Sequence, residues 1–283
     1  MSLQLVECPR DAMQGWPHPI DTDSKVSYLN QLLQVGFHTL DCGSFVSPKA
    51  IPQMADTPSV IPQLNLDNSN TKLLVIVANR RGAAEAVEFK NISYLGFPFS
   101  ISPIFQQRNT NSSMEESLER VKEIQALCLQ YNKEMVVYMS MAFGNPYGDD
   151  YNTAVLMDWT ERIIAEGINT ISLADTVGVA SPEQISTAVS SLISQYKDTT
   201  IGVHLHAADN NFESKLSAAW HAGCMRFDGA LKGIGGCPMA QDELVGNMST
   251  ERMIDWFHAS GIHTGVKEEQ LMQSIHFANK VFI

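Results

Sequence analysis

Eight short runs rich in valine, isoleucine and leucine recur along the chain, each followed by a longer stretch whose apolar residues have helical spacing. The runs at 3–8, 37–42, 72–78, 92–99, 134–141, 169–174, 200–206 and 224–228 are bounded by Gly, Pro, Asn or Asp, which marks them as strands. Helices are expected near 22–35, 80–89, 113–131, 152–166, 181–196, 211–222 and 249–260, with a less regular stretch at 48–64. Start signals support several of them. Ser181 precedes Pro182 at a first helical position, and Ser113-Met114-Glu115-Glu116 forms an S-x-x-E capping box ahead of the stripe Leu118, Val121, Ile124 and Leu127. Strict strand–helix alternation requires parallel strands, so the class is α/β. Eight repeats without a linker or a shift in composition favour one closed (β/α)8 TIM barrel over an open doubly wound sheet. The 283 residues read as a single domain spanning 1–283, near the typical barrel size of about 250.

Composition narrows the functional classes. A formal charge of −12 argues against nucleic-acid binding, which needs a basic face. No basic leader with an apolar core opens the chain, and no window approaches ~18 consecutive apolar residues, so neither export nor a membrane partner is expected. Five cysteines, Cys8, Cys42, Cys128, Cys224 and Cys237, form an odd set with no C-x-x-C pair. That pattern suits a reducing cytoplasm better than a disulfide framework or a cysteine-rich zinc site.

A barrel enzyme builds its site where strands end. Arg10 and Asp11 follow the first strand, Asp41 ends the second, Asn79 the third, Asp175 the sixth, and His204 with His206 the seventh. In Gly202-Val203-His204-Leu205-His206 the histidines are two apart, so an extended backbone turns both imidazoles to one side. They suit a shared metal ion with Asp11 as an oxygen donor, or a hydrogen-bonded structural pair. A mixed nitrogen and oxygen set fits a divalent ion such as Mg²⁺, Mn²⁺ or Zn²⁺. The run Lys232-Gly233-Ile234-Gly235-Gly236-Cys237-Pro238 reads either as a glycine-rich lid carrying a thiol or as a plain connecting loop.

The strings "VECPRDAMQ", "LDCGSFVSPKAIPQMAD", "SSMEES", "ISLADTVGVASP", "GVHLH", "GIGGCPMAQ", "GNMSTERM" and "GIHTGV" together resemble the 3-hydroxy-3-methylglutaryl-CoA lyase family over nearly the whole chain. The resemblance implies a carbon–carbon lyase acting on an acyl-CoA, by default 3-hydroxy-3-methylglutaryl-CoA. A relative acting on another 3-hydroxy acid and a non-catalytic barrel are the alternatives. By the same resemblance Asp11, His204, His206 and Asn247 are ligands of a divalent metal, Mg or Mn before Zn. Arg10 neutralises the developing enolate, Asp41 stands where the family has a glutamate, and Cys237 belongs to a mobile catalytic loop. Gln14, Asp175 and Glu251 match further residues around the substrate. Family members commonly dimerise, which implies a homodimer.

The chain also departs from the family pattern. Ala12 replaces a glycine beside Asp11 and would be strained if the backbone there needs a positive φ. Ala207-Ala208 replaces Asp-Thr after His206, which removes groups able to orient an imidazole, with Asp209 as the candidate substitute. Trp16-Pro17 stands where the family tends to place a lysine near the CoA end, and Asn145 replaces a cysteine just ahead of Asp149 and Asp150.

Overall fold

The computed structural model describes residues 2–236 and 245–283. Its strands are β1 (Gln4–Glu7), β2 (Thr39–Ser44), β3 (Lys72–Ile76), β4 (Ile92–Ser100), β5 (Glu134–Ser140), β6 (Thr170–Ala174), β7 (Thr200–His204) and β8 (Arg226–Gly229). They pair in chain order, all parallel, and β8 closes on β1 with Gln4 opposite Arg226 and Val6 opposite Asp228. This is the closed eight-stranded barrel that the alternation implies.

The helices are α1 (Pro9–Gln14), α2 (Thr22–Leu32), α3 (Thr57–Val60), α4 (Arg80–Ala86), α5 (Pro103–Thr110), α6 (Met114–Gln130), α7 (Thr153–Ala165), α8 (Pro182–Gln195), α9 (Phe212–His221), α10 (Thr250–Ala259) and α11 (Glu268–Val281). Both expected starts are present as complete capping boxes, Ser113 with Glu116 and Ser181 with Gln184. Three helices, α1, α5 and α11, lie where no helix is expected from periodicity. The first two, at six and eight residues, are too short to show a period. In α11 half of the buried stripe Leu271, Ser274, Ala278 and Val281 is small or polar, which hides its spacing. At the C-terminus Phe277 stacks on Tyr28, and Phe282 meets Tyr28 and Trp16 edge-on, so these aromatics pack within the chain.

The barrel interior is divided. On one side Leu74, Tyr94, Val136 and Tyr138 form a small apolar cluster apart from the main core between sheet and helices. On the other, Arg226 and Asp228 of β8, Ser172 of β6 and His204 of β7 are buried together. Gly202 makes room for this polar half, since a Cβ there would lie 2.9 Å from the Arg226 side-chain stem. No helix among the described residues is long and apolar enough to cross a membrane.

The end of β2 leans on α4, where Gly82 follows the Asn79 cap and sits against the carbonyl oxygen of Phe45. A Cβ at 82 would stand 2.2 Å from that oxygen. Gly82→Ala should therefore lower the unfolding free energy in urea by roughly 1–3 kcal/mol despite alanine's better helix propensity. Gly15→Ala, with nothing within 4 Å of its Cβ, should leave the denaturation curve unchanged.

Candidate active site

The sequence places a proline directly after Cys8, which starts α1 at the mouth of the barrel as soon as β1 ends. Consecutive helical residues then send Arg10 and Asp11 into the mouth, and both are buried. The Arg10 Nε donates to Asp41 Oδ1 and Oδ2 at 3.2 and 3.1 Å, Nη2 donates to Asp41 Oδ2 at 2.5 Å, and Nη1 donates to Asp11 Oδ1 at 2.8 Å. One turn on, Gln14 donates its amide to Asp11 Oδ1 at 2.8 Å, so it acts here as a partner of Asp11. Asn247 donates Nδ2 to Asp11 Oδ2 at 2.7 Å and to the Ile234 carbonyl at 2.9 Å.

These contacts set the charges. Burial pushes the Asp11 carboxyl up, but Arg10, His204 and the Asn247 amide together hold it below its ordinary value. At Asp41 burial prevails over Arg10, and its carboxyl is raised.

His204 and His206 face one space, with ring centroids 5.4 Å apart. Strand pairing ends at His204, shorter than the expected 200–206, and the extended backbone continues so that His206 bridges to Asn247. Ligand atoms of Asp11, His204 and His206 all lie within 4.8 Å of one another, a grouping able to hold a metal ion. Two further atoms support that fit: His206 Nε2 and Asn247 Oδ1 are buried without a hydrogen-bond partner. Both Asn247 Nδ2 protons are spent on Asp11 and Ile234, and Oδ1 is left as a buried acceptor with nothing to accept. Orphaned acceptors beside a carboxylate are costly unless a cation or donor meets them.

Each imidazole has a different support behind it. His204 Nδ1 lies 3.4 Å from Asp228 Oδ2, which also accepts from Ser172 at 3.4 Å, while Asp228 Oδ1 is 3.9 Å from Arg226 Nε. Burial lowers the His204 pKa, but the Asp228 hydrogen bond and charge outweigh it, and the net shift is upward. His206 Nδ1 instead faces the Thr176 carbonyl at 3.2 Å, and burial followed by the charge of His204 lowers its pKa to about 4. Sequence reasoning missed Asp228. Its signal was the alternation Arg226-x-Asp228, which sends two charges to one face of a buried strand directly opposite His204 in the β7–β8 register.

Other expected residues are placed differently. The Asp175 carboxylate is buried and engaged by Lys215 Nζ at 2.7 Å and the Ala180 N–H at 3.0 Å. Both oxygens of Glu251 accept from the Lys232 N–H. Asp209 does not orient His206, because it pairs with Arg252 at 2.6 Å with its side chain 97% exposed. Ala12 carries no strain, since it lies inside α1 and outside the positive-φ residues. Trp16 packs edge-on against Phe282, with ring centroids 5.2 Å apart. Asn145 braces its own loop through Tyr147 and Asp149, and Asp149 accepts from Ser102 and from the Ile104 N–H at the start of α5. Cys237 lies outside the described residues.

Asn247 reaches the site because the two stems of its loop are clamped together. Ala230 donates to the Met248 carbonyl at 3.0 Å and accepts from the Thr250 N–H at 3.1 Å. Glu7, fully buried, accepts from the Leu231 N–H at 2.9 Å and from Thr250 Oγ1 at 2.5 Å, joining both stems to β1.

The fold and site together define a (β/α)8 barrel with a buried nitrogen and oxygen cluster at its C-terminal mouth, backed by an arginine bound to two carboxylates. Residues 3–277 match the HMGL-like family model, and the chain belongs to that family. It is 31% identical to the hydroxymethylglutaryl-CoA lyase YngG of Bacillus subtilis, over 94% of this chain and 88% of that protein. With the mitochondrial hydroxymethylglutaryl-CoA lyase of Homo sapiens it shares 30% identity over 97% and 84% of the two chains. An HMG-CoA lyase from Acenitobacter baumannii, solved in complex with coenzyme A and 3-methylmalate, superposes with a TM-score of 0.92 at 30% identity, covering 99% of this chain and 91% of the other.

Burial raises the Glu7 pKa to about 8, so the folded protein holds a proton there that the unfolded chain, titrating near 4.5, releases. Between these values the native state binds more protons, and this group's contribution to stability falls as pH rises. Glu7→Gln mimics the protonated form and should flatten the decline of Tm between pH 6 and pH 9. An unchanged slope in that variant would assign the decline to another group.

Proposed function

We propose that this chain is a divalent-metal-dependent carbon–carbon lyase that cleaves 3-hydroxy-3-methylglutaryl-CoA to acetyl-CoA and acetoacetate. The observation that carries this reading is the grouping of Asp11, His204 and His206 ligand atoms within 4.8 Å beside a buried guanidinium, with His206 Nε2 and Asn247 Oδ1 buried and unpartnered and Asn247 bound to Asp11. Two imidazole nitrogens and two oxygens suit Mg²⁺ or Mn²⁺, with Zn²⁺ also compatible. A bound divalent cation would supply Lewis acidity to the tertiary hydroxyl and carboxylate of the substrate.

Arg10 supplies the other charge. A guanidinium has five N–H bonds, and Asp41 and Asp11 occupy three, which leaves one on each terminal nitrogen for a substrate oxygen. In the cleavage the hydroxyl gives up its proton to a general base, the bond between C2 and C3 breaks, and its electron pair passes to the thioester as an enolate. A fixed cation at that oxygen stabilises charge that develops only in the transition state and intermediate. Protonation of the enolate carbon completes acetyl-CoA, the step for which Cys237 is the candidate donor. Because Asp41 and Asp11 hold Arg10 from two directions, the guanidinium needs no reorganisation when the enolate forms. The free thiols of Cys8, Cys42, Cys128 and Cys224, all buried, suit a reducing cytoplasm.

The test is acetoacetate release from 3-hydroxy-3-methylglutaryl-CoA with added Mg²⁺ or Mn²⁺. We expect activity that EDTA abolishes, that Arg10→Ala lowers by about 10²–10³-fold, and that His204→Ala lowers at least as much. A folded protein that binds the metal but leaves this thioester intact would make the chain a lyase for another 3-hydroxy acid.

A further inference from the structure

The two alanines after His206 remove the nearest side chains able to orient its ring, yet Nδ1 has a partner in the Thr176 carbonyl. A carbonyl only accepts, so in the neutral imidazole this bond requires the proton on Nδ1 and leaves the lone pair on Nε2. Nε2 is the buried, unpartnered nitrogen of a ring that groups with Asp11 and His204, their ligand atoms all within 4.8 Å of one another. What holds Thr176 in place therefore sets how His206 presents itself.

The β6–α8 turn that carries Thr176 is fixed from several sides. Asp175 N–H donates to the His204 carbonyl, and Thr176 Oγ1 accepts from the Met141 N–H at 2.9 Å. The remaining anchor comes from α9, where Lys215 lies on the buried stripe Phe212, Lys215, Leu216 and Ala219 and is 1% exposed. All three protons of its ammonium are used: Asp175 Oδ2 at 2.7 Å, the Gly178 carbonyl at 2.9 Å and the His206 carbonyl at 2.8 Å. One charge thus ties both ends of the turn to the backbone of the histidine that the turn supports. An apolar side chain would serve packing alone at that stripe position as well or better, because a buried ion pair is costly. The position instead holds a lysine with three matched acceptors.

We propose that Lys215, through its ion pair with Asp175, is a positioning residue that holds the Thr176 carbonyl against His206 Nδ1 and so presents Nε2 to the metal. The inference rests on the metal-binding part of the proposed function and assigns Asp175 to the same support.

Metal binding without substrate tests it. Lys215→Met leaves the Asp175 charge unpaired, so Lys215→Met/Asp175→Asn is made alongside to restore a folded protein without the ion pair, and thermal denaturation reports folding. The affinity of each folded protein for Mn²⁺ is read from the EPR signal of the free ion, and ¹⁵N NMR of the metal-free proteins reports the His206 tautomer. We expect the double variant to bind Mn²⁺ about 10–100-fold more weakly than wild type, with the Nδ1–H form of His206 giving way to a mixture of tautomers. A folded double variant with wild-type Mn²⁺ affinity and an unchanged tautomer would overturn the proposal and leave Lys215 a purely structural residue. A wild-type protein that binds no Mn²⁺ would instead overturn the metal reading itself, and this proposal with it.

Discussion

Two carboxylates, Asp11 and Asp41, lie buried at the mouth of this barrel, and the guanidinium of Arg10 between them is what makes that arrangement possible. Without it each would either take up a proton or force the site open to water. With it, Asp11 stays ionised while Asp41 holds the guanidinium through both its oxygens. The pairing also fixes geometry, since a planar fork bound at three of its donors has little freedom left. Everything else at the mouth is placed relative to Asp11: Gln14 below it in α1, Asn247 across from it, and the two histidines facing it.

Much of this was legible in the sequence, and the reasons are physical. Eight apolar runs separated by helical segments leave few architectures other than a closed parallel barrel, and the H-x-H spacing turns two imidazoles to one side on any extended backbone. Asn247 was not legible from local pattern. It comes from a loop 236 residues away from Asp11, and only the family resemblance marked it. Lys215 was hidden more thoroughly, because a lysine in an amphipathic helix ordinarily reads as a solvated charge, and nothing local distinguishes one whose head is buried. Ala12 erred the other way: a substitution beside the site suggested strain, but the chain there is helical and alanine suits a helix.

The supports behind the two histidines differ in kind. A carboxylate behind His204 faces its Nδ1 at 3.4 Å, and Arg226 lies on the far side of that carboxylate at 3.9 Å. A neutral carbonyl behind His206 fixes direction but adds no charge. The two imidazoles are therefore unequal in basicity, His204 shifted up and His206 down, in keeping with the different groups behind them.

Glu7 shows the same economy on the outer side of the sheet. The loop that delivers Asn247 contains Gly233, Gly235 and Gly236 with positive φ, backbone that side-chain packing cannot restrain. Its stems must then be held by something else if Asn247 is to stay within 2.7 Å of Asp11. A carboxyl can accept at both oxygens at once, which lets one residue of β1 bind Leu231 on the outgoing stem and Thr250 on the returning one. An apolar side chain at position 7 would satisfy the strand but leave the Leu231 N–H and the Thr250 hydroxyl buried and unpaired. Burial makes the neutral acid the favoured form, so the clamp works without bringing another charge beside Glu251.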